Sequence, residues 1–167
     1  MNLYILRHAL AGDRSARYPD DRKRPITKKG RKEMRAAAKG MRKLDLEFNL
    51  ILSSPFTRAQ QTAEAVRKIF KLDQLSLSEN LASGAKARSL ISELNEKYAS
   101  FKNILLVGHE PDLSELISIL TSGDKKLSLH FRKSGLCKLA AGKLRGSRCA
   151  TLEWFLTPRQ LAAIGKK

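Results

Sequence analysis

The chain has 167 residues, 42% hydrophobic and 29% charged, which is enough apolar material for one sizeable core and excludes a disordered chain. Lys and Arg number 33 against 16 Asp and Glu, a formal net charge of +17. Such a field attracts phosphorylated substrates, acidic proteins and nucleic acid alike, or serves solubility alone, and does not choose among them. No apolar stretch approaches the roughly 20 residues that span a bilayer, and Arg7 interrupts the N-terminal apolar run before it reaches the length of a secretory core.

A single domain over 1–167, with a cytoplasmic location and no membrane contact, is therefore the expectation. Cys137 and Cys149 have neither metal-site spacing nor a dense disulfide pattern, and read as small hydrophobes in a reducing compartment.

In chain order, residues 3–6 are continuously apolar and predict a buried strand that ends in Arg7-His8. Residues 11–25 are polar, carry Arg14, Arg17, Arg22, Lys23 and Arg24, and predict a loop at the mouth of a site. After Thr27, the positions Met34, Ala37, Ala38, Met41 and Leu44 recur with helical period. Residues 50–52 predict a second strand. It is followed by a helix with Ser54 as N-cap, Pro55 in its first position and Ala59, Ala63, Val66 and Phe70 inward. A third helix carries Leu90, Ile91, Leu94 and Tyr98, a third strand covers 104–107, and a fourth helix carries Leu113, Leu116, Ile117 and Leu120. Residues 135–141 and 150–155 predict two further strands across a glycine-rich basic turn, and a short last helix starts at Pro158. Alternation of this kind predicts an α/β fold, a three-layer α/β/α sandwich with a mostly parallel central sheet.

The chemistry-bearing residues sit at strand ends. In open parallel sheets the ligand crevice lies outside the carboxyl ends of the strands. Arg7 and His8 follow the first strand, Arg58 lies one turn into the helix after the second, and Gly108-His109-Glu110-Pro111 follows the third. Each pattern alone has a plain structural reading: a surface pair, a capped helix, a satisfied histidine. Their coincidence at three separate strand ends is what points to a shared anion site, because helix N-termini and guanidinium groups both grip phosphate. His130, beside Phe131, reads as a structural histidine near a late strand.

Leu6-Arg7-His8-Ala9, Ser54-Pro55-Phe56-Thr57-Arg58-Ala59-Gln60-Gln61-Thr62 and Val107-Gly108-His109 resemble, in order and spacing, the three signatures of the histidine phosphatase superfamily, the phosphoglycerate mutase-like fold. Short length together with Arg24-Pro25-Ile26-Thr27-Lys28-Lys29-Gly30 is similar to its SixA subfamily of phosphohistidine phosphatases. One departure is Ala9, where the family pattern commonly has glycine. The resemblance implies His8 as nucleophile and Arg7, Arg58 and His109 as the groups that hold phosphoryl oxygens.

Many relatives supply a carboxylic acid to protonate the leaving group. Here Asn80 falls in that register, with Glu79 next to it as the candidate general acid. The expectation is a metal-independent phosphatase without cofactor that hydrolyses phosphohistidine on a protein, such as a histidine phosphotransfer domain, through a covalent phosphohistidine on His8. Nucleic acid is not the expected partner, and a monomer is favoured. Two alternatives stay open: a phosphatase for small phosphorylated metabolites or phosphoesters with Glu79 as acid, and a basic phosphate- or nucleic-acid-binding module without turnover.

Overall fold

The computed structural model describes residues 1–13 and 18–166, so the part of the expected mouth loop that carries Arg14 and Arg17 lies outside the described residues. The described elements are β1 (Asn2–Arg7), α1 (Lys28–Lys43), β2 (Leu50–Ser53), α2 (Thr57–Phe70), β3 (Leu75–Leu77), α3 (Ala87–Lys97), β4 (Asn103–Gly108), α4 (Asp112–Ser122), β5 (Leu136–Ala141), β6 (Ala150–Leu156) and α5 (Pro158–Ile164), with short 3-10 turns at Asp21–Lys23 and Glu79–Leu81. Six strands form one sheet in the order β3-β2-β4-β1-β5-β6. The first four are mutually parallel, and β5 runs antiparallel to both β1 and β6.

The period-2 alternation of each strand sorts its side chains between two cores. Leu3 and Ile5 of β1, Leu50 and Leu52 of β2, and Ile104 and Leu106 of β4 pack against α3 and α4. Tyr4 and Leu6, Ile51, and Leu105 and Val107 face the opposite way, onto α1, α2 and α5. Both faces are covered, which is why these strands read as unbroken apolar runs. This is the expected three-layer α/β/α sandwich. Among the described residues, no helix is long and apolar enough to cross a membrane. Cys137 is buried, with its thiol pushed up to about 12 by burial, and Cys149 is half-buried; both are free.

Two local contacts fasten α1 to the chain leaving β1. The Thr27 hydroxyl accepts from the Gly30 amide (2.9 Å) and caps the helix, while the Thr27 amide donates to the Leu10 carbonyl (2.9 Å). A Cβ on Gly30 would lie 2.2 Å from the Leu10 oxygen, so only glycine lets the helix approach this closely. At the other end, α1 meets α5 through Gly40, where a Cβ would fall 1.8 Å from the Leu161 oxygen.

The structure corrects three expectations. Ser54 is not the N-cap of α2 and Pro55 is not its first residue: the helix begins at Thr57 with Phe56 in the cap position. Ser54 is instead drawn into the sheet edge, its amide donating to the Val107 carbonyl (2.9 Å) and its hydroxyl accepting from the Phe56 amide (3.2 Å). Gly108 closes β4 without a left-handed backbone; its lack of a side chain admits Leu113, whose Cδ2 would stand 3.0 Å from a Cβ there. His130 is exposed and outside any strand, so it is not a buried structural histidine. The edge strand β3 is an addition, three residues long and only half-buried, too short for a periodicity to register.

Candidate active site

The carboxyl ends of β1, β4 and β2 are stitched together one residue beyond the strands. The His8 amide donates to the Gly108 carbonyl (3.1 Å), extending the Arg7–Gly108 pairing, as the Ser54 amide does to Val107 (2.9 Å). His8, His109 and Ser54 thereby share one rim. The two imidazoles lie with ring centroids 5.0 Å apart, and the Phe56 ring packs 4.9 Å from His109 on another side.

His8 is nearly buried, at 6% exposure, and its Nδ1 sits 2.7 Å from the Ala9 carbonyl. A carbonyl oxygen only accepts, so Nδ1 carries the proton and the lone pair is left on Nε2. The Ala9 peptide is itself anchored: its amide donates to the Thr62 hydroxyl (2.9 Å), which donates on to the Arg58 carbonyl (2.6 Å). Burial, then the neighbouring His109, Arg58 and Arg7, lowers His8 to about 3, against the raising effect of its bond to Ala9. His109 is lowered to about 4, by burial first and then by Arg58. Both rings are neutral at pH 7. His109 Nε2 lies 2.8 Å from the Ser54 hydroxyl. That oxygen also accepts from the Phe56 amide, and its own proton can donate to Nε2, the arrangement in which the His109 hydrogen sits on Nδ1.

Cations surround the pair. The Arg7 guanidinium donates to the Phe131 carbonyl, and the turn preceding β5 is bound to β1 through the Ser134 amide and the Arg7 carbonyl (3.1 Å). Arg58, 3% exposed, donates to the Asp21 carbonyl (2.7 Å) and to its carboxylate Oδ2 (2.9 Å). The other carboxylate oxygen, Oδ1, accepts from Arg24 (3.0 Å), whose Nη1 also donates to the Gly12 carbonyl (2.6 Å). Lys133, next to Ser134 in that turn, is lowered by burial first and then by Arg7 and Arg24, against the raising effect of Asp13. Among the described residues, Arg7 Nε, His109 Nδ1 and Ser134 Oγ are buried and make no hydrogen bond. No three His, Cys, Asp or Glu side chains converge as a metal cluster among the described residues.

Of the sequence-derived candidates, Arg7, His8, Arg58 and His109 are brought together, while Glu79 lies at the surface in an ion pair. The Glu79 carboxylate is 70% exposed and pairs with Arg22 (3.0 Å), whose guanidinium lies over the Phe56 ring at 5.2 Å. Asn80 turns inward, its side-chain amide donating to Glu93 (2.8 Å). The sequence analysis gives no role to Thr62, quoted there only as the end of the second signature, nor to Asp21 or the Lys133-Ser134 turn. Thr62 looked like one more helix position, and Asp21 like part of a solvated charged loop.

A family model for the histidine phosphatase superfamily (branch 1) matches residues 3–83. An uncharacterised protein of Picosynechococcus is 33% identical over 157 residues, spanning 93% of this chain and 94% of the relative. The chain belongs to the histidine phosphatase superfamily. Within it, the likeness is to SixA. The phosphohistidine phosphatase SixA of Escherichia coli strain K12 is 29% identical over 168 residues, 96% of each chain. The solved structure of the protein histidine phosphatase SixA complexed with tungstate superposes with a TM-score of 0.83 at 25% identity, covering 96% of this chain and 99% of that one. This histidine phosphatase therefore carries the strand-end motifs of its family on the family's fold.

Proposed function

We propose that this phosphatase hydrolyses phosphohistidine on a protein, through a covalent phosphohistidine on His8. The observation that carries the reading is the Glu79-Asn80 pair. In the register of the acid that serves alkoxide leaving groups stands an amide, bound to Glu93, and the adjacent carboxylate is taken up by Arg22 at the surface. A site arranged this way favours a leaving group that departs without a donated proton.

An imidazole is such a group. With its far nitrogen protonated, phosphohistidine presents a phosphoryl group on a ring that leaves as neutral imidazole. The Nε2 lone pair of His8 forms the new P–N bond as the substrate's P–N bond breaks, and the departing ring keeps that electron pair. His8, still protonated on Nδ1 toward Ala9, becomes what the substrate was. Bond made and bond broken are the same, so the step is close to balanced and depends on positioning and on cations around the equatorial oxygens. Arg7, Arg58 and the His109 N–H supply those donors. Water then attacks phosphorus, the Nε2–P bond breaks, and neutral His8 and dihydrogen phosphate are released. Neither step calls for a metal. The two free thiols suit a reducing cytoplasm.

The test incubates the protein with a phosphorylated histidine phosphotransfer domain and, separately, with p-nitrophenyl phosphate. Expected are faster turnover of the P–N substrate, acid-labile phosphate on His8, and loss of both in His8→Ala. Glu79→Gln is expected to retain most of the P–N activity. If Glu79→Gln were as inactive as His8→Ala, an acid would be required, and the metabolite reading with Glu79 would replace this one.

A further inference from the structure

Away from the site, a groove of about 1060 Å³ runs between α1 and α2, with Ala162 of α5 also lining it. One wall is a stripe on α1: Lys28, Arg31, Lys32, Arg35 and Lys39 all line it, and all are exposed. At 1.5 Å per residue the stripe is about 16 Å long. The pairs Lys28/Arg31, Lys28/Lys32, Arg31/Arg35, Lys32/Arg35 and Arg35/Lys39 stand three or four residues apart, the spacing at which like charges on a helix repel. Arg31, Lys32, Arg35 and Lys39 pair with no carboxylate among the described residues. The one carboxylate lining the groove, Glu64, is occupied by Arg67 (2.6 Å) and Lys68 (3.6 Å). The floor is apolar, with Ala36, Ala65, Ile69 and Leu75.

One end of the groove is formed by the first turns of α1 and α2, through Lys28, Gln60 and Gln61. Gln61, which lines it, accepts from the Ile26 amide (2.9 Å) three residues downstream of Asp21-Arg22-Lys23, and Arg58 lies one turn earlier on the same helix. Lys28 is the first residue of α1, whose cap Thr27 is bonded to Leu10 just beyond His8.

We propose that this groove is the docking surface for the phosphorylated protein substrate, taking an acidic, amphipathic segment whose apolar side rests on the floor and whose carboxylates meet the α1 stripe. The inference rests on the phosphohistidine-protein reading above and adds the chemistry of the partner. Charge complementarity selects an acidic ligand. Floor and rim together select a polypeptide over a nucleic acid, because no aromatic side chain lines the groove to stack a base.

The experiment measures binding of a synthetic Glu/Leu amphipathic helix of about 15 residues to the full chain by fluorescence anisotropy. In parallel it measures turnover of a phosphorylated histidine phosphotransfer domain and of phosphoramidate, the smallest P–N substrate. The double variant Arg31→Ser, Arg35→Ser is expected to weaken peptide binding and raise KM for the phosphoprotein by about tenfold each, with kcat and phosphoramidate turnover unchanged. Lys32→Ser with Lys39→Ser gives the same result should the first pair impair folding. Peptide binding that ignores the substitutions, or equal losses on phosphoprotein and phosphoramidate, overturns the proposal. So does an oligonucleotide that occupies the groove more tightly than the peptide. If the phosphoprotein is not turned over while the peptide still needs Arg31 and Arg35, the substrate reading falls and the docking surface stands.

Discussion

Thr62 offers the sharpest test of how the site is held. Its hydroxyl accepts from the Ala9 amide and donates to the Arg58 carbonyl, and the Ala9 carbonyl in turn receives Nδ1 of His8. Thr62→Val keeps the shape of a fully buried side chain and removes only these bonds. The Ala9 N–H is then left buried and unpaired, a loss of about 2 kcal/mol, which for a domain of this size lowers Tm by about 4–8 °C. The Arg58 carbonyl is still served by the helix. With its anchor gone, the Ala9 peptide is free to rotate and the His8 tautomer loses its fixed acceptor. A fall in kcat of about tenfold to a hundredfold is expected, by analogy with the second-layer partners that orient metal-bound imidazoles. Urea unfolding followed through Trp154, alongside kcat on phosphoramidate, measures both. Thr62→Ser should recover kcat while remaining less stable than wild type by the lost methyl. If Thr62→Val kept kcat within about twofold and Thr62→Ser did no better, the hydroxyl would have no part in positioning His8.

Stability should fall on the acid side because of the two site histidines. Both are held neutral, His8 to about 3 and His109 to about 4, against 6.5 in the unfolded chain. Below pH 6.5 the unfolded state takes up protons that the folded state refuses, so stability is lost as pH falls, by about 2 kcal/mol per histidine at pH 5. Melting temperatures between pH 7.5 and 5 should therefore converge for wild type and His8→Asn; parallel curves would refute the assignment. Gly40→Ala and Gly30→Ala should each destabilise by about 3 kcal/mol or more in chemical denaturation, since the added carbon meets backbone oxygen that has no rotamer to change. Asp21→Asn removes the charge shared by Arg58 and Arg24 and should cost about 2 kcal/mol, less than a fully buried pair because Asp21 is 31% exposed. Millimolar phosphate should then raise the Tm of this variant more than that of wild type, and equal shifts would show that Asp21 and phosphate do not compete for the same guanidinium groups.

What the sequence made legible follows from locality. Strand ends such as Leu6-Arg7-His8 and Val107-Gly108-His109 announce themselves because burial on both faces forces a continuous apolar run and its interruption is abrupt. Thr27 was visible as a helix start because a cap and its amide lie three residues apart. Asp21 was invisible: its partner Arg58 is 37 positions away, and nothing in a run of alternating charges marks one carboxylate as bonded. Ser54 departs from its local signal for the same reason. Ser-Pro is a strong local start signal, but a histidine 55 residues later and the edge of β4 claimed the serine first. Glu79 was named on register alone, and register does not say which way a side chain turns in a 3-10 turn.

The order of strands in the sheet also bears on how the molecule is made. β1, which carries Arg7 and leads into His8, is the first strand synthesised, yet its neighbours are β4 and β5. Its Asn2 side chain pairs with a residue 101 positions later, and Arg7 with one 124 positions later. A central strand with such distant partners waits while most of the chain emerges, and long-range parallel pairing is the slow part of folding. α1 and the β2-α2 unit can form early from local contacts. The reactive imidazole cannot be buried until the last third of the chain arrives, so assembly of the site coincides with completion of the fold.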